Sequence, residues 1–479
     1  MMSRSVSPLL SGLVGMAVVG LSSSALAQSL CPAQLPSAIN PIIQQAGGQW
    51  GVMVQPVGDR TTLYNWNATT QFIPASTNKL LTSAAALQKF GANYRIRTSV
   101  TGNGSGSGLN SLRFIGRGDP SLTTAKLSQL AQQLRQRGIR QVNQLIGDDT
   151  YFRGAAINPN WHPDDLTQAY ASPVNSLILN QNAINLTVFP QRVGQALRIQ
   201  WDDPSDASDW RLSSDTATVG ANGSEYLDID RSGNLIRLEG QLRAGSESEV
   251  VGVSVPNPGN YLVQKFRNIL TRSAIQVGNS TLVKSTPAPG GEVELAFVES
   301  APMSELVYET NQESNNLYAE ALLKGLGRIQ TPTNSDATAS GAAAVKSVLA
   351  PLGVNPNGYT MVDGSGLARR NRVSSQALVQ VLQAMAQSPD AEVFRRSLPI
   401  GGVSGTLKSR FRGTPLQGRV LAKTGTISGV ISLAGYVNPP NYSPLSFSIL
   451  VNYSGSSVTT LRRSMDQVVQ VLGQLKPCR

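Results

Sequence analysis

"IPASTNKLLTSAAAL", residues 73–87, sets a serine three positions ahead of a lysine at the start of an apolar, helix-forming run. Pro74 and Ser76 are helix-start signals, and Leu80, Ala84 and Leu87 recur at spacings of four and three, predicting one core-facing stripe. Ser76 and Lys79, at i and i+3, then share a face of the first turn, near enough for proton transfer. Free N–H groups on such a turn can also stabilise an oxyanion. Two readings compete: Ser76 is a nucleophile with Lys79 as its base, or the pair is only the polar cap of a core helix.

The rest of the composition narrows the choice. His162 is the only histidine among 479 residues. A Ser-His-Asp mechanism would have to use it, and a zinc site could draw only on that histidine and two cysteines. The acids of "GDD" (147–149) and "PDDL" (163–166) lack the ligand spacing of a calcium loop and read as turn acids. "GVSGTLKS" (402–409) nearly imitates a phosphate loop, but Leu407 stands where a glycine must precede the lysine. No metal or cofactor is therefore expected. A serine nucleophile here needs an activator other than imidazole, and lysine is the candidate. Its ordinary pKa of about 10.4 must fall by about three units, or ~4 kcal/mol, for enough neutral amine at pH 7. Burial, a helix amino terminus and a second cation all push that way.

Two later motifs bear on the first. "ETNQESNNLYAEALLKGL" (309–326) begins a second helix with Leu317, Ala321 and Leu322 facing a core, and Ser314 and Asn316 on its polar start. "RVLAKTGTISGVISLAGYV" (419–437) has the alternation and β-branching of a strand, with Lys423, Thr424 and Thr426 on its first half. Gly425 would let a substrate backbone approach closely. Ser-x-x-Lys, Ser-x-Asn and Lys-Thr-Gly, in that order, are the set found in β-lactamases and penicillin-binding proteins, here with Ser-Asn-Asn for Ser-Asp-Asn. The gap from Ser76 to Ser314 is more than twice that from Ser314 to Lys423, which implies a large insertion after the nucleophile helix.

Together with "GRGDPSL" (116–122), "DDLTQAYASP" (164–173), "DGSGLARRNRVS" (363–374) and "LPIGGVSGTL" (398–407), these motifs resemble the class C low-molecular-mass penicillin-binding proteins, the D-alanyl-D-alanine carboxypeptidase/endopeptidase family. The resemblance runs over essentially the whole mature chain. It implies an α+β fold: a penicillin-recognising serine transpeptidase/β-lactamase-like domain, an antiparallel sheet covered by helices, split by an insertion of two smaller, largely β domains. On that pattern residues 28–95 and 289–479 form the transpeptidase-like domain. Residues 96–182 and 258–288 form a second domain, and 183–257 a third nested in it.

The resemblance also implies roles. Ser76 attacks the carbonyl between two D-alanines of a peptidoglycan stem peptide, Lys79 takes its proton, and the N–H groups of Ser76 and Thr426 hold the oxyanion. Ser314 passes the proton to the leaving amine and Asn316 holds a substrate amide. Lys423, Thr424 and Thr426 bind the terminal carboxylate, with Gly425 between them, and β-lactams acylate the same serine. A subsite for a diaminopimelate-type side chain falls on Asp165, Tyr170, Ser365, Leu367 and Arg369, an acid and an arginine suiting a zwitterionic end. His162 falls where some relatives carry an aromatic residue lining that pocket. The rivals are a β-lactamase, which the long insertion opposes, a serine esterase or aminopeptidase of the same fold, and a catalytically weak wall-binding scaffold, which three intact motifs oppose.

The chain's own pattern agrees with an insertion. Strands and Gly/Ser turns such as "TGNGSGSGLN" (101–110) follow the first helix. Residues 184–257 read as all-β, with a hairpin around Ser232-Gly233, and a helix is expected at 260–273. From 302 onward come four amphipathic helices, strands at 419–423, 429–437 and 445–452, and a final helix near 457–475. At the amino terminus Arg4, the apolar run Leu9 to Leu21 and Ala25-Leu26-Ala27 read as an export signal, residues 1–27. The run is too short for a transmembrane anchor, and bulky Leu30 argues against lipidation of Cys31. Export to a periplasm or cell-wall space follows. Cys31 and Cys478 would there tie the termini in one disulfide, or remain two free thiols. The net charge of +11 suits anionic wall polymers, and scattered basic residues without a zinc-finger or basic-helix pattern argue against nucleic acid.

Overall fold

The computed structural model describes residues 30–285, 291–331 and 336–478, so the expected export signal lies outside the described residues. The strands expected at 419–423 and 429–437 form a hairpin in which the first runs on to Ile427. Ile427 stands opposite Val430, with Ser428 and Gly429 as the turn and Gly429 at φ 75°. The hairpin opens a five-stranded antiparallel sheet in the order Val420–Ile427, Val430–Val437, Leu445–Asn452, Gln49–Pro56 and Tyr64–Trp66. Val430–Val437 is buried along its whole length because both faces of the sheet are covered. On one face the terminal helices Leu35–Ala46 and Val458–Gly473 bury Ile39, Leu461 and Val468 against Val52 and Phe447. On the other lie Lys79–Phe90 and Ser375–Ala386, which bury Leu80, Leu87 and Leu378 against Leu450 and Tyr436. Strands and helices from the two ends of the chain thus build one layered unit around an insertion.

The Lys79–Phe90 helix shows more than the single core-facing stripe expected of it. Every residue from Lys79 to Leu87 is buried, because the helix runs through the middle of the domain, touching the helices Met303–Gln312, Asn316–Gln330, Ala337–Leu349 and Ser375–Ala386. Its polar side chains inside the core are paired: Thr82 Oγ1 donates to the Gly364 carbonyl at 2.8 Å and Ser83 Oγ to the Lys79 carbonyl at 2.7 Å. The four helices expected after residue 302 are joined by a short fifth, Ala391–Arg396.

Within the insertion a five-stranded mixed sheet runs Gln276–Val283, Gln141–Asp148, Gly108–Ile115, Arg97–Ser105, Val293–Glu299, with Thr124–Gln136 and Pro258–Arg272 packed on it. Val293–Glu299 pairs with Arg97–Ser105, so this sheet extends past the boundary expected at residue 288. The pairing partner lies almost two hundred residues earlier in the chain. Two three-stranded sheets follow within the segment expected to be all-β, and Ser232 stands opposite Leu235 in the expected hairpin. These sheets share one continuous apolar cluster with the five-stranded sheet: Leu145 and Phe266 belong to it together with Ile184, Leu238 and Val253. Cys31 and Cys478 are bonded, with Cα atoms 5.1 Å apart, and Leu30 and Leu475 bridge beside them.

Candidate active site

Ser76 lies on a 3₁₀ turn, Ala75–Asn78, that feeds straight into the Lys79–Phe90 helix. The turn starts from Ala75 at φ 48°, a left-handed backbone uncommon for a residue with a side chain. Its neighbours fix it. The Pro74 carbonyl accepts from Thr77 Oγ1 at 2.8 Å and Ser432 Oγ at 2.7 Å, and Asn78 Nδ2 donates to the Asp363 carbonyl at 3.0 Å. Two glycines press against it. A Cβ on Gly366 would stand 1.9 Å from the Ala75 carbonyl oxygen, and one on Gly425 would stand 2.9 Å from the Ser76 nitrogen. Only glycine allows the Asp363–Ala368 turn and the edge strand to close on the serine from both sides.

Lys79 is wholly buried, and its Nζ reaches Ser76 Oγ at 2.9 Å, Asn316 Oδ1 at 2.6 Å and the Ser365 carbonyl oxygen at 2.8 Å. Burial drives its pKa down to about 7 against the opposing charges of Asp363 and Glu320. A neutral amine has two N–H groups and one lone pair. The two carbonyl oxygens can only accept, so they take both N–H groups, and the lone pair is left facing the one partner that can donate, the Ser76 hydroxyl. The set of neighbours thus orients the amine.

Ser314 sits at φ 60° just before the Asn316–Gln330 helix, whose start is capped by Asn315 Oδ1 on the Tyr318 N–H at 3.2 Å. That geometry places Asn316 against Lys79 and Ser314 against Lys423, whose Nζ donates to Ser314 Oγ at 2.8 Å and to the Thr424 carbonyl at 2.9 Å. Lys423 is also fully buried; its pKa is held well below the ordinary lysine value by burial and then by the Lys79 charge. Thr424 Oγ1 pairs with Thr406 Oγ1 at 2.7 Å, while the Thr426 side chain is exposed on the same edge strand.

These groups open on a cleft of about 930 Å³. Ser76, Ser314, Asn316 and Thr426 line its floor; Trp161, His162, Asp165 and Tyr170 come from the insertion, and Leu367, Arg369 and Arg370 from the opposite wall. Tyr170 OH donates to Asp165 Oδ1 at 2.8 Å, and burial with this bond pushes the phenol pKa up. Arg369 Nη2 donates to the Ser428 carbonyl at 2.7 Å, so Asp165 and Arg369 each have their own partner. Ser365 departs from the expected side-chain subsite. It is fully buried and meets the site through its carbonyl on Lys79, because the turn carrying it folds beneath the nucleophile helix.

Two acids not read from the sequence, Asp363 and Glu320, brace the site, and Tyr170, which was read for its side chain, also contributes through its main chain. Asp363, wholly buried, accepts from the Gly366 N–H at 2.8 Å, the Ala368 N–H at 2.6 Å, Asn371 Nδ2 at 2.7 Å and Trp161 Nε1 at 3.0 Å. The Tyr170 carbonyl holds Asn316 Nδ2 at 2.8 Å. Glu320 accepts two amides of the Asp363–Ala368 turn. Its spacing of four from Asn316 was the only signal available.

Residues 35–473 match the D-Ala-D-Ala carboxypeptidase 3 (S13) family. The chain belongs to that family. Its relatives include a D-alanyl-D-alanine carboxypeptidase of Actinomadura sp. (strain R39), 32% identical over 425 residues, covering 85% of this chain and 78% of the relative. The D-alanyl-D-alanine carboxypeptidase DacB of Haemophilus influenzae is 25% identical over 85% of this chain and 86% of its own. Among solved structures, penicillin binding protein 4 of H. influenzae shares the fold at a TM-score of 0.75 and 24% identity, covering 92% of this chain and 98% of that one. The S13 chain is thus an α+β protein of the penicillin-recognising type, and the resemblance read from its motifs holds.

Proposed function

We propose that the protein hydrolyses the D-Ala-D-Ala bond of peptidoglycan stem peptides through an acyl-enzyme on Ser76. The observation that carries this reading is the buried Lys79 amine 2.9 Å from Ser76 Oγ, with two carbonyl oxygens occupying its N–H groups. Ser76 Oγ attacks the carbonyl between the two D-alanines while Lys79 Nζ takes the hydroxyl proton. The Ser76 and Thr426 N–H groups hold the tetrahedral oxyanion, which suits the first turn of a helix facing an open strand edge. Ser314, bonded to Lys423, hands a proton to the leaving D-alanine amine, and Asn316 holds a substrate amide. Lys423, Thr424 and Thr426 receive the terminal carboxylate, an anion that needs charge and fixed donors. Water then releases the shortened stem. Penicillins form the same ester, since their strained amide meets the same nucleophile.

The same cleft supports endopeptidase work on D-Ala-to-diamino-acid cross-links. Asp165, Tyr170, Leu367 and Arg369 line one end of it and present both charges to a zwitterionic side chain. Action on peptidoglycan places the protein in the periplasm or cell-wall space, in keeping with the export signal read from its first 27 residues.

Labelling with a fluorescent penicillin tests the assignment. Intact-mass analysis should show one adduct on the wild type and none on Ser76→Ala; an adduct that survives the alanine change overturns it.

A further inference from the structure

Asn316, Glu320 and Lys324 recur every four residues along one helix, and each reaches a different part of the molecule. Asn316 Oδ1 touches the base itself. Lys324 Nζ, one end of the row, donates to the Ala155 and Val174 carbonyls of the insertion at 2.8 and 2.7 Å. Glu320 sits between them, 2% exposed. Its Oε1 accepts from the Gly364 N–H at 2.9 Å and the Ser365 N–H at 2.8 Å. The same turn presents the Ser365 carbonyl to Lys79 Nζ.

We propose that Glu320 is a positioning residue for the base: its buried carboxylate holds the Gly364 and Ser365 amides so that the Ser365 carbonyl stays on Lys79 and turns the amine's lone pair toward Ser76. The proposal rests on the acyl-enzyme reading above and adds to it a residue that the three motifs do not contain. The turn is held from both ends. Asp363 takes the Gly366 and Ala368 amides, Ser365 Oγ the Leu367 amide, and Glu320 the remaining two. Without Glu320, two buried N–H groups lose their acceptor, and a turn so exposed to unpaired donors repacks. A carbonyl that moves by an ångström no longer competes for the amine's hydrogen, and the amine is free to rotate away from the nucleophile.

The charges around Glu320 bear on its own carboxyl and on Lys79. Burial pushes its own carboxyl up, Asp363 adding to this, while the Ser365 hydroxyl and then the Gly364 and Ser365 amides oppose. Lys324 faces it along the helix, with Asp149 and Asp336 beyond. Lys79, under the charges of Glu320 and Asp363, faces Lys423 across the site. Where Glu320 is ionised its charge favours the ammonium form of Lys79, after that of Asp363, but burial pushes the Glu320 carboxyl up into the range in which Lys79 itself titrates, so this charge fades as the amine gains its proton.

Acylation by a fluorescent penicillin from pH 5 to 9, on the full chain and on Glu320→Gln, Glu320→Ala and Lys79→Ala, tests this. Glu320→Gln keeps an acceptor for both amides and should hold its plateau rate within about threefold of the wild type. Glu320→Ala should lose at least about tenfold at the plateau with KM for a soluble stem peptide unchanged. A wild-type plateau in a folded Glu320→Ala overturns the proposal, as does a Glu320→Gln plateau that falls as far as that of the alanine variant; if the alanine variant does not fold, Glu320→Asp, whose shorter side chain does not reach both amides, takes its place, and a wild-type plateau there overturns the proposal. Lys79→Ala keeps the two ideas apart. Acylation by that variant at the wild-type rate overturns the base assignment, whereas its loss beside a wild-type plateau in a folded Glu320→Ala overturns only the role of Glu320.

Discussion

At the residue scale the site turns on an amine stripped of water. Acylation needs Lys79 neutral, and its pKa of about 7 puts the change within reach of ordinary buffers. The second-order acylation rate should rise through about pH 7 and fall tenfold for each unit below pH 6. A profile flat from pH 5 to 8 would show that another group takes the proton. Lys79→Ala should lose a factor on the order of 10²–10⁴ at pH 8, the usual share of a general base. The meeting of Ser76 and Asn316 with Lys79, and of Ser314 with Lys423, was legible in the sequence because each stands in a short motif whose order carries information. Asp363 and Glu320 were not. A buried acid that binds backbone amides looks, in a sequence, like any helix or turn acid, since its partners are main-chain atoms with no letter of their own. Ser365 was misplaced for the same reason: the chemistry lies in its carbonyl.

At the scale of elements, the site is where a helix start meets a sheet edge, and Gly425 sets how closely they meet. A methyl group there would stand 2.2 Å from Ser432 Oγ and 2.9 Å from both the Pro74 carbonyl oxygen and the Ser76 nitrogen. Gly425→Ala should therefore push strand and turn apart and slow acylation about 10²-fold, with the protein still cooperatively folded by thermal melt. Wild-type labelling kinetics in that variant would mean that the strand does not fix the nucleophile. The helices and the three sheet strands of the last third were readable from periodicity, as was the hairpin at Ser232. The central helix was read too narrowly, as one stripe, because its alanines and hydroxyls resemble a solvent face; they are instead the small residues that let four helices close around it. Val293–Glu299 was assigned to the wrong unit because pairing with Arg97–Ser105 is a long-range fact that local pattern does not hold.

At the scale of the whole molecule, the two ends of the chain build one layer of the catalytic sheet and are locked beside it by Cys31–Cys478. The Leu30 N–H donates to the Gln474 carbonyl and the Lys476 N–H to the Leu30 carbonyl, both at 2.9 Å, so the bond closes a junction already paired. Cys31→Ser with Cys478→Ser should cost about 2–5 kcal/mol, read as a lower melting temperature by calorimetry, while penicillin labelling at 25 °C stays within about twofold. An unchanged melting temperature would place the stability of the junction in its packing alone. The insertion is a different matter. Trp161 holds Asp363, the Tyr170 carbonyl holds Asn316, and the Ala155 and Val174 carbonyls hold Lys324. A designer who pruned this protein back to a bare β-lactamase scaffold would remove these clamps as well, so the inserted segment is a structural member of the cleft and not cargo that happens to ride on it.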